Sequence, residues 1–320
     1  MRPLLASAVA AALLHAAHAQ ETYPSRPITL VAPFAAGGST DLVARVLSEG
    51  LRARLGQPVT VENKAGANGL IGIRDVVKAA PDGHTLLIGS AGSLVTPAVM
   101  FRNFPVDAAR DLVPVAAAAE WAAVMLARKA LPVGSLPEFV AYAKARPGRL
   151  NFGTSGYGSL VHLLAEAFMK EAGIAMQHVP YKGGANSMAD LLAGTLDVLF
   201  TSSPVAVGQA QNRNLLMLAA ASKRRLQQLP DVPTMAEGGY PRVDQTSWLG
   251  VFAPAGLPPT VRERLSGTVL DIVRDPEAQE RLRRIGFEPL VLDHSAFAEF
   301  VRLELERWGD FVNAQGLAEK

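Results

Sequence analysis

Ile28-Thr29-Leu30-Val31-Ala32-Pro33-Phe34 is an apolar run that breaks into Ala35-Ala36-Gly37-Gly38-Ser39-Thr40-Asp41 and resumes as Leu42-Val43-Ala44-Arg45-Val46-Leu47. A continuous apolar run, a turn rich in Gly, Ser and Thr, and an amphipathic stretch spell a strand, a tight turn and the start of a helix. The design recurs as Leu150-Asn151-Phe152, then Gly153-Thr154-Ser155-Gly156-Tyr157-Gly158-Ser159, then Leu160-Val161-His162-Leu163-Leu164. At such a turn several backbone N–H groups lack intrahelical acceptors, and the helix dipole favours negative charge, so an anion can be held without a cationic side chain. Two such turns in one chain predict two walls of a single binding cleft.

Outward from these units, strand-like and helix-like segments alternate, which argues for an α/β fold with mostly parallel sheets. Pro58 to Asn63 and Thr85 to Gly89 read as strands, with a Gly-rich turn from Gly66 to Gly72 and a short helix from Ile71 to Ala80 between them. Ser135-Leu136-Pro137-Glu138 has the spacing of a capping box, which predicts a helix from Leu136 to about Ala145. Val179 to Gly184 closes another strand, Ser187 to Ala193 reads as a helix, and Leu196 to Phe200 and Leu215 to Ala220 as strands. Beyond a strand at Trp248 to Ala253 the chain is largely helical. In the last helix Phe297, Val301, Leu305, Trp308 and Val312 share one face, with Arg302, Glu304, Glu306 and Arg307 on others. The chain is expected to cross between two similar domains near Trp121 to Arg128 and to return between Ser222 and Trp248.

The amino-terminal residues 1–19 read as a signal peptide: Arg2 supplies a positive start, Pro3 to Ala17 is almost wholly apolar, and Ala17-His18-Ala19 suits cleavage after Ala19. The run is short for a membrane anchor. With no cysteine in the chain, neither lipid attachment nor stray disulfides arise, and a periplasmic location fits. Lys and Arg number 31 against 29 Asp and Glu, for a formal net charge of +2. That balance, without basic runs interleaved with aromatics, speaks against nucleic acid as a partner. Lys223-Arg224-Arg225 reads as a solvated cluster.

Enzyme signatures are missing: no Gly-x-x-x-x-Gly-Lys loop, no His-Glu-x-x-His and no Ser-x-x-Lys occur. Of the six histidines, His15 and His18 fall in the leader, and His84, His162, His178 and His294 read as isolated from one another, so no metal or other cofactor is expected. Gly153-Thr154-Ser155-Gly156-Tyr157 comes closest to a nucleophile elbow, with Tyr157 where glycine is required. Serine hydrolysis through Ser155, with His162 as base, is the alternative reading. What remains is a surface of neutral donors. Gly37 and Gly38 permit close backbone approach, Ser39 and Thr40 offer hydroxyls, and Thr154, Ser155 and Ser159 repeat the pattern. Asp41 would oppose a bound anion and reads as structural, paired with Arg45.

These residues carry a family pattern. Tyr23-Pro24-Ser25-Arg26-Pro27-Ile28, Gly37-Gly38-Ser39-Thr40-Asp41 with Ala44-Arg45, Val61-Glu62-Asn63-Lys64-Ala65-Gly66-Ala67-Asn68-Gly69, Asn151-Phe152-Gly153-Thr154-Ser155-Gly156, His178-Val179-Pro180-Tyr181-Lys182-Gly183-Gly184, Asp190-Leu191-Leu192-Ala193-Gly194 and Trp248-Leu249-Gly250-Val251-Phe252-Ala253-Pro254-Ala255-Gly256 resemble, in order, the Bug receptors of tripartite tricarboxylate transporters. Asn186, where relatives often carry proline, and Thr96-Pro97, in place of Asn-Pro, depart from the pattern. The resemblance implies a two-lobed type II periplasmic-binding-protein fold whose lobes are joined by crossing strands. Lobe 1 would be discontinuous, residues 20–122 plus 248–320, and lobe 2 would span 123–247. A small organic carboxylate, with one to three carboxyl groups, would lie between the lobes. The implied ligand-binding residues are Phe34, Ala36, Gly37, Gly38, Ser39 and Thr40 on one wall and Thr154, Ser155, Gly156, Tyr157 and Ser159 on the other. Ser90, Ser202 and Ser203 would face the same cleft, and Lys182 would sit at its edge. The chain is expected to be a monomer, not an enzyme, and to serve membrane components of a tripartite tricarboxylate transporter or a sensor. A ligand-sensing module without transport remains a further alternative.

Overall fold

A computed structural model of the chain describes residues 23–181 and 184–318. The expected leader, its cleavage site and Lys182 lie outside the described residues. Ten strands form one hydrogen-bonded network among the described residues, in the order β2-β1-β3-β9-β4-β7-β5-β6, with β10 and β8 also paired to β4. On one side lie β1 (Ile28–Ala32), β2 (Val59–Asn63) and β3 (Thr85–Ser90); on the other lie β5 (Asn151–Thr154), β6 (Gln177–Pro180), β7 (Val198–Ser202) and β8 (Leu215–Ala221).

The element that joins them is β4 (Leu112–Arg128), a strand of 17 residues. Leu112 to Ala122 pairs with β9 (Thr246–Pro254), and Ala123 to Arg128 pairs with β7 and β8. Its alanines at 116–119 are fully buried, and side chains this small let layers close on both faces of one strand. Register shifts between Pro114 and Ala116, between Ala117 and Ala119 and between Met125 and Leu126 add the local twist that a strand serving two differently oriented neighbours needs. The return runs from the end of β8 through residues 222–245 into β9. The sheet is mixed rather than mostly parallel. Pairs β1/β2, β1/β3, β5/β6 and β5/β7 are parallel, as helical crossovers dictate. Every pair made by β4 or β9 is antiparallel, because these two strands carry the chain between the halves rather than within one.

The two strand-turn-helix units form as the sequence predicts. Helix α1 (Ser39–Leu55) follows β1 and ends at Gly56, whose φ of 71° lets its N–H close back on the Arg52 carbonyl. The second short helix, α2 (Leu70–Val77), leads to β3, and α3 (Thr96–Met100) and α4 (Ala108–Asp111) precede β4. Helix α5 (Leu136–Lys144) is capped by Ser135, whose hydroxyl accepts from the Glu138 N–H. The Glu138 carboxylate reaches Gly134 N–H instead of the cap residue's own, so only half of the predicted capping box is made. Helix α6 (Leu160–Ala172) follows β5 with Ser159 as its cap and Gly173 at its end. Helix α7 (Gly184–Ala193) and the single-turn α8 (Ser203–Val207) flank β7.

After β9 come α9 (Pro259–Arg274), α10 (Pro276–Arg284), the short β10 (Glu288–Pro289) and α11 (His294–Gln315). Phe297, Val301, Trp308 and Val312 are buried along α11 as its periodicity requires. Glu304, expected among the outward faces, is buried as well. Its carboxylate accepts the indole N–H of Trp248 at 3.1 Å and of Trp308 at 3.2 Å. Two buried indoles need an acceptor, and a glutamate one turn before Trp308 supplies it.

Candidate functional site

Between the β1–β3 side and the β5–β7 side lies a cavity of about 100 Å³. The first wall is the turn after β1 and the start of α1: Phe34, Ala35, Ala36, Gly38, Ser39 and Thr40. The second is the turn after β5 and the start of α6: Ser155, Ser159, Leu160 and Val161. Ser90 and Gly92 enter from the end of β3, and Thr201, Ser202 and Val205 from β7 and α8. Trp121 on β4 and Leu249 on β9 come from the crossing strands, while Asn68 and Asn186 stand at the sides.

Both helix starts present free backbone donors. Gly38 at the cap of α1 gives no side-chain bond, so the N–H groups of Ser39 and Thr40 have no acceptor within the helix. At α6 the Ser159 hydroxyl accepts from His162 N–H at 3.4 Å and donates to the Gly156 carbonyl at 2.7 Å. Leu160 and Val161 keep their N–H groups without intrahelical acceptors. Asp41 is structural, as expected. Arg45 reaches its two oxygens at 3.0 Å each, and Gly37 N–H donates to it at 2.9 Å. Burial alone would raise its carboxyl, but the bonds from Arg45, Gly37 and Asn63 outweigh burial and hold it below the usual carboxylate range.

The walls touch. Ser39 Oγ and Ser202 Oγ are 2.9 Å apart, Asn68 Nδ2 donates to the Tyr157 carbonyl at 2.6 Å, and Thr96 Oγ1 donates to the Gly158 carbonyl at 3.1 Å. Asn68 holds a left-handed backbone, φ 53°, which asparagine tolerates better than most residues. A second, outer cavity shares Phe34, Asn68 and Ser155 with the first and is closed by Phe101, Tyr157 and Tyr181.

Nine of the fourteen candidate residues therefore meet in one cavity: Phe34, Ala36, Gly38, Ser39, Thr40, Ser90, Ser155, Ser159 and Ser202. Tyr157 lines the outer chamber instead. Gly37, Thr154, Gly156 and Ser203 line neither. The Thr154 hydroxyl is committed to Gly156 and to His178 Nε2 at 2.7 Å. Ser203 Oγ donates to the Gly286 carbonyl at 2.7 Å and accepts Ala122 N–H, tying α8 to the loop before β10.

Sequence reading missed Ala35, Asn68, Gly92, Trp121, Leu160, Val161, Asn186, Thr201, Val205 and Leu249 as cavity residues. Asn68 within Gly66-Ala67-Asn68-Gly69 carried a usable signal, since Asn beside glycines marks left-handed backbone. Trp121 carried one too, as a lone aromatic in an alanine-rich strand.

The histidines are not isolated. His162 and His178 stack with ring centroids 4.2 Å apart, because β6 places His178 beside Phe152 of β5. Burial lowers His162 to about 3, with His178 adding to the effect, and lowers His178 to about 4, so both rings are neutral at pH 7. His162 Nδ1 accepts Gly158 N–H at 3.2 Å and Nε2 lies 3.6 Å from Glu166. The Nδ1 lone pair is thus committed to Gly158, and His162 is not among the residues that line the cavity with Ser155, which speaks against it as a base there. No group of three or more metal-ligating side chains occurs among the described residues, and no helix among them is long and apolar enough to cross a membrane.

Comparison with known proteins agrees with this architecture. Residues 43–317 match the model of the tripartite tricarboxylate transporter family receptor. The chain is 36% identical over 309 residues to Protein BugT of Bordetella pertussis, covering 96% of this chain and 95% of that one. Among solved structures it superposes with a TM-score of 0.89 on R. palustris Rpa4515 with adipate, at 33% identity over 92% of this chain and 99% of that one. The TM-score is 0.84 for MatC of Rhodopseudomonas palustris with bound malate, at 32% identity over 91% and 100% of the two chains. With two lobes, a shared cavity and a family match over most of its length, the chain belongs to the tripartite tricarboxylate transporter receptor family.

Proposed function

We propose that this chain is a periplasmic receptor that captures a small organic carboxylate between its lobes and hands it to the membrane components of a tripartite tricarboxylate transporter. The observation that carries the reading is the pair of helix starts, α1 and α6, facing one cavity from opposite walls with unpaired backbone N–H groups. Neutral donors of this kind grip an anion and let it go again, as transport requires. The adipate and malate held by the two relatives support the same ligand class. The lobes are 20–122 with 248–320 and 123–247, and the chain acts as a monomer exported by residues 1–19. Catalysis is not part of the role: His162 is engaged elsewhere, and the cavity offers Ser155 no general base among its described lining residues.

The contacts are made by the nine candidates that meet in the cavity, with Ser155 central to the α6 wall. A thermal-shift screen with mono-, di- and tricarboxylates tests the class, since a ligand of the native state raises its melting temperature. Ser155→Asp tests the place. A carboxylate beside the bound anion repels it, and affinity by calorimetry is expected to fall at least tenfold, about 1.4 kcal/mol, with an unchanged circular dichroism spectrum. Equal affinity would displace the site from this wall.

A further inference from the structure

Phe152 on β5, His178 on β6, His162 on α6 and Tyr157 in the turn between β5 and α6 form a run of four rings, with successive centroids 4.9, 4.2 and 4.8 Å apart. The first ring is fully buried in the core, and the last, Tyr157, is 56% exposed. Both histidines are neutral at pH 7, so the run carries no charge. It backs the Tyr157 ring against the protein, and beyond the run that ring meets only Phe101, at a centroid distance of 6.4 Å. Folding alone does not call for a large ring fixed from behind and left open in front. An apolar surface held in that way is a preorganised platform for something that binds there. Tyr157 opens onto the outer cavity, of about 270 Å³. Four of that cavity's nine lining residues, Phe34, Phe101, Tyr157 and Tyr181, are aromatic in a chain with only 6% aromatic residues, so the chamber is enriched in flat apolar surface. Phe34 and Phe101 come from the β1–β3 side and Tyr157 and Tyr181 from the β5–β7 side, so the chamber is complete only when the walls meet.

Resting on the receptor reading above, we infer that the outer chamber is a second ligand subsite, which takes the planar body of an aryl carboxylate against Tyr157 while the carboxylate lies among the inner cavity's donors. The two cavities share Phe34, Asn68 and Ser155, so one ligand can occupy both. Their sizes assign its parts. The inner cavity, about 100 Å³, is smaller than the roughly 150 Å³ void that accepts benzene, whereas the outer one exceeds it. A ring joined to a bound carboxylate therefore belongs in the outer chamber. A saturated ring of the same size buries similar area there but lacks the aromatic quadrupole, and the contact with Tyr157 is worth roughly two- to tenfold in affinity beyond that area.

The test uses matched pairs: benzoate, phenylacetate and 3-phenylpropionate, each beside its cyclohexyl counterpart, so that spacer length is scanned separately from ring type. Affinities are measured by calorimetry for wild type and Tyr157→Leu. In wild type the best-fitting aryl acid is expected to bind about three- to tenfold tighter than its cyclohexyl partner. In Tyr157→Leu that advantage should shrink below about twofold while the cyclohexyl acid keeps its affinity, since leucine still offers apolar surface. The variant is expected to fold, because the side chain is more than half exposed and the bond from Asn68 goes to the backbone carbonyl; retained binding of the cyclohexyl acid reports this directly. Equal affinities within every pair, or an aryl preference that survives Tyr157→Leu, overturn the inference and leave the carboxylate receptor standing. Failure of all six acids, with an aliphatic carboxylate raising the melting temperature, overturns it too. If no carboxylate of any kind binds, the receptor reading falls with it.

Discussion

His178 shows how much a single residue's surroundings decide. Its ring lies between Phe152 and His162, with centroid distances of 4.9 and 4.2 Å, and its Nε2 meets Thr154. Burial holds it at about 4 and His162 at about 3, against 6.5 in an unfolded chain. Above pH 6.5 neither state binds the proton and the pair has no pH-dependent effect. Between pH 6.5 and 4 the unfolded state takes up protons that the native state refuses, so stability falls as pH falls. Each unit of native depression is worth about 1.4 kcal/mol at full effect. His178→Phe keeps the stack and removes one titrating ring. Urea midpoints between pH 7.5 and 4.5 are expected to slope about half as steeply in this variant, and an unaltered slope would place the acid sensitivity elsewhere. Asp41 also has a lowered carboxyl, but its contribution is lost only at lower pH, through the carboxylate range, so the two windows separate.

At the scale of elements, α11 is fixed to the body through Glu304. Glu304→Ala would strand the indole N–H groups of Trp248 and Trp308 and release Arg307, and a loss of about 3 kcal/mol is expected in denaturant unfolding. Glu304→Gln, which still accepts, should recover a large share. Elements were the most legible level of the sequence. Both strand-turn-helix units stand where the apolar runs and Gly-Ser-Thr turns put them, because local propensity, capping and burial all favour one answer there. Ser39, Ser155 and Ser159 were legible for the same reason, being fixed by their place at a helix start. Thr201, Val205 and Leu249 were not. Thr201 and Leu249 reach the cavity through strand pairings set by tertiary contact, such as Ser90 against Leu249, Val205 follows on the short α8 after β7, and a strand's sequence does not say which sheet will turn a given face toward a ligand. The His162 and His178 stack was hidden likewise: a helix and a strand edge bring the rings together, and no spacing announces it. Glu304 misled because periodicity counts charge as outward, whereas two buried indoles demanded an acceptor.

In the whole molecule, the lobes meet through side chains that hydrogen-bond to the opposing backbone, Asn68 to Tyr157 and Thr96 to Gly158. Asn68→Gly removes the first of these bonds without straining the left-handed backbone. The open form gains population, and apparent affinity falls in proportion to the competent fraction lost. A three- to tenfold weaker carboxylate affinity at unchanged melting temperature is expected, read from the fluorescence of Trp121, the cavity's tryptophan. Unaltered affinity would mean that the contact follows closure without favouring it. The position of β9 between β3 and β4 bears on how the chain is made. As the polypeptide is synthesised amino end first, the first three strands and the leading half of the fourth are complete long before residues 246–254 arrive to separate them. Until then two apolar edges stand bare, each a template for unwanted pairing. The nascent chain is thus most exposed to edge-to-edge pairing until that one late strand arrives.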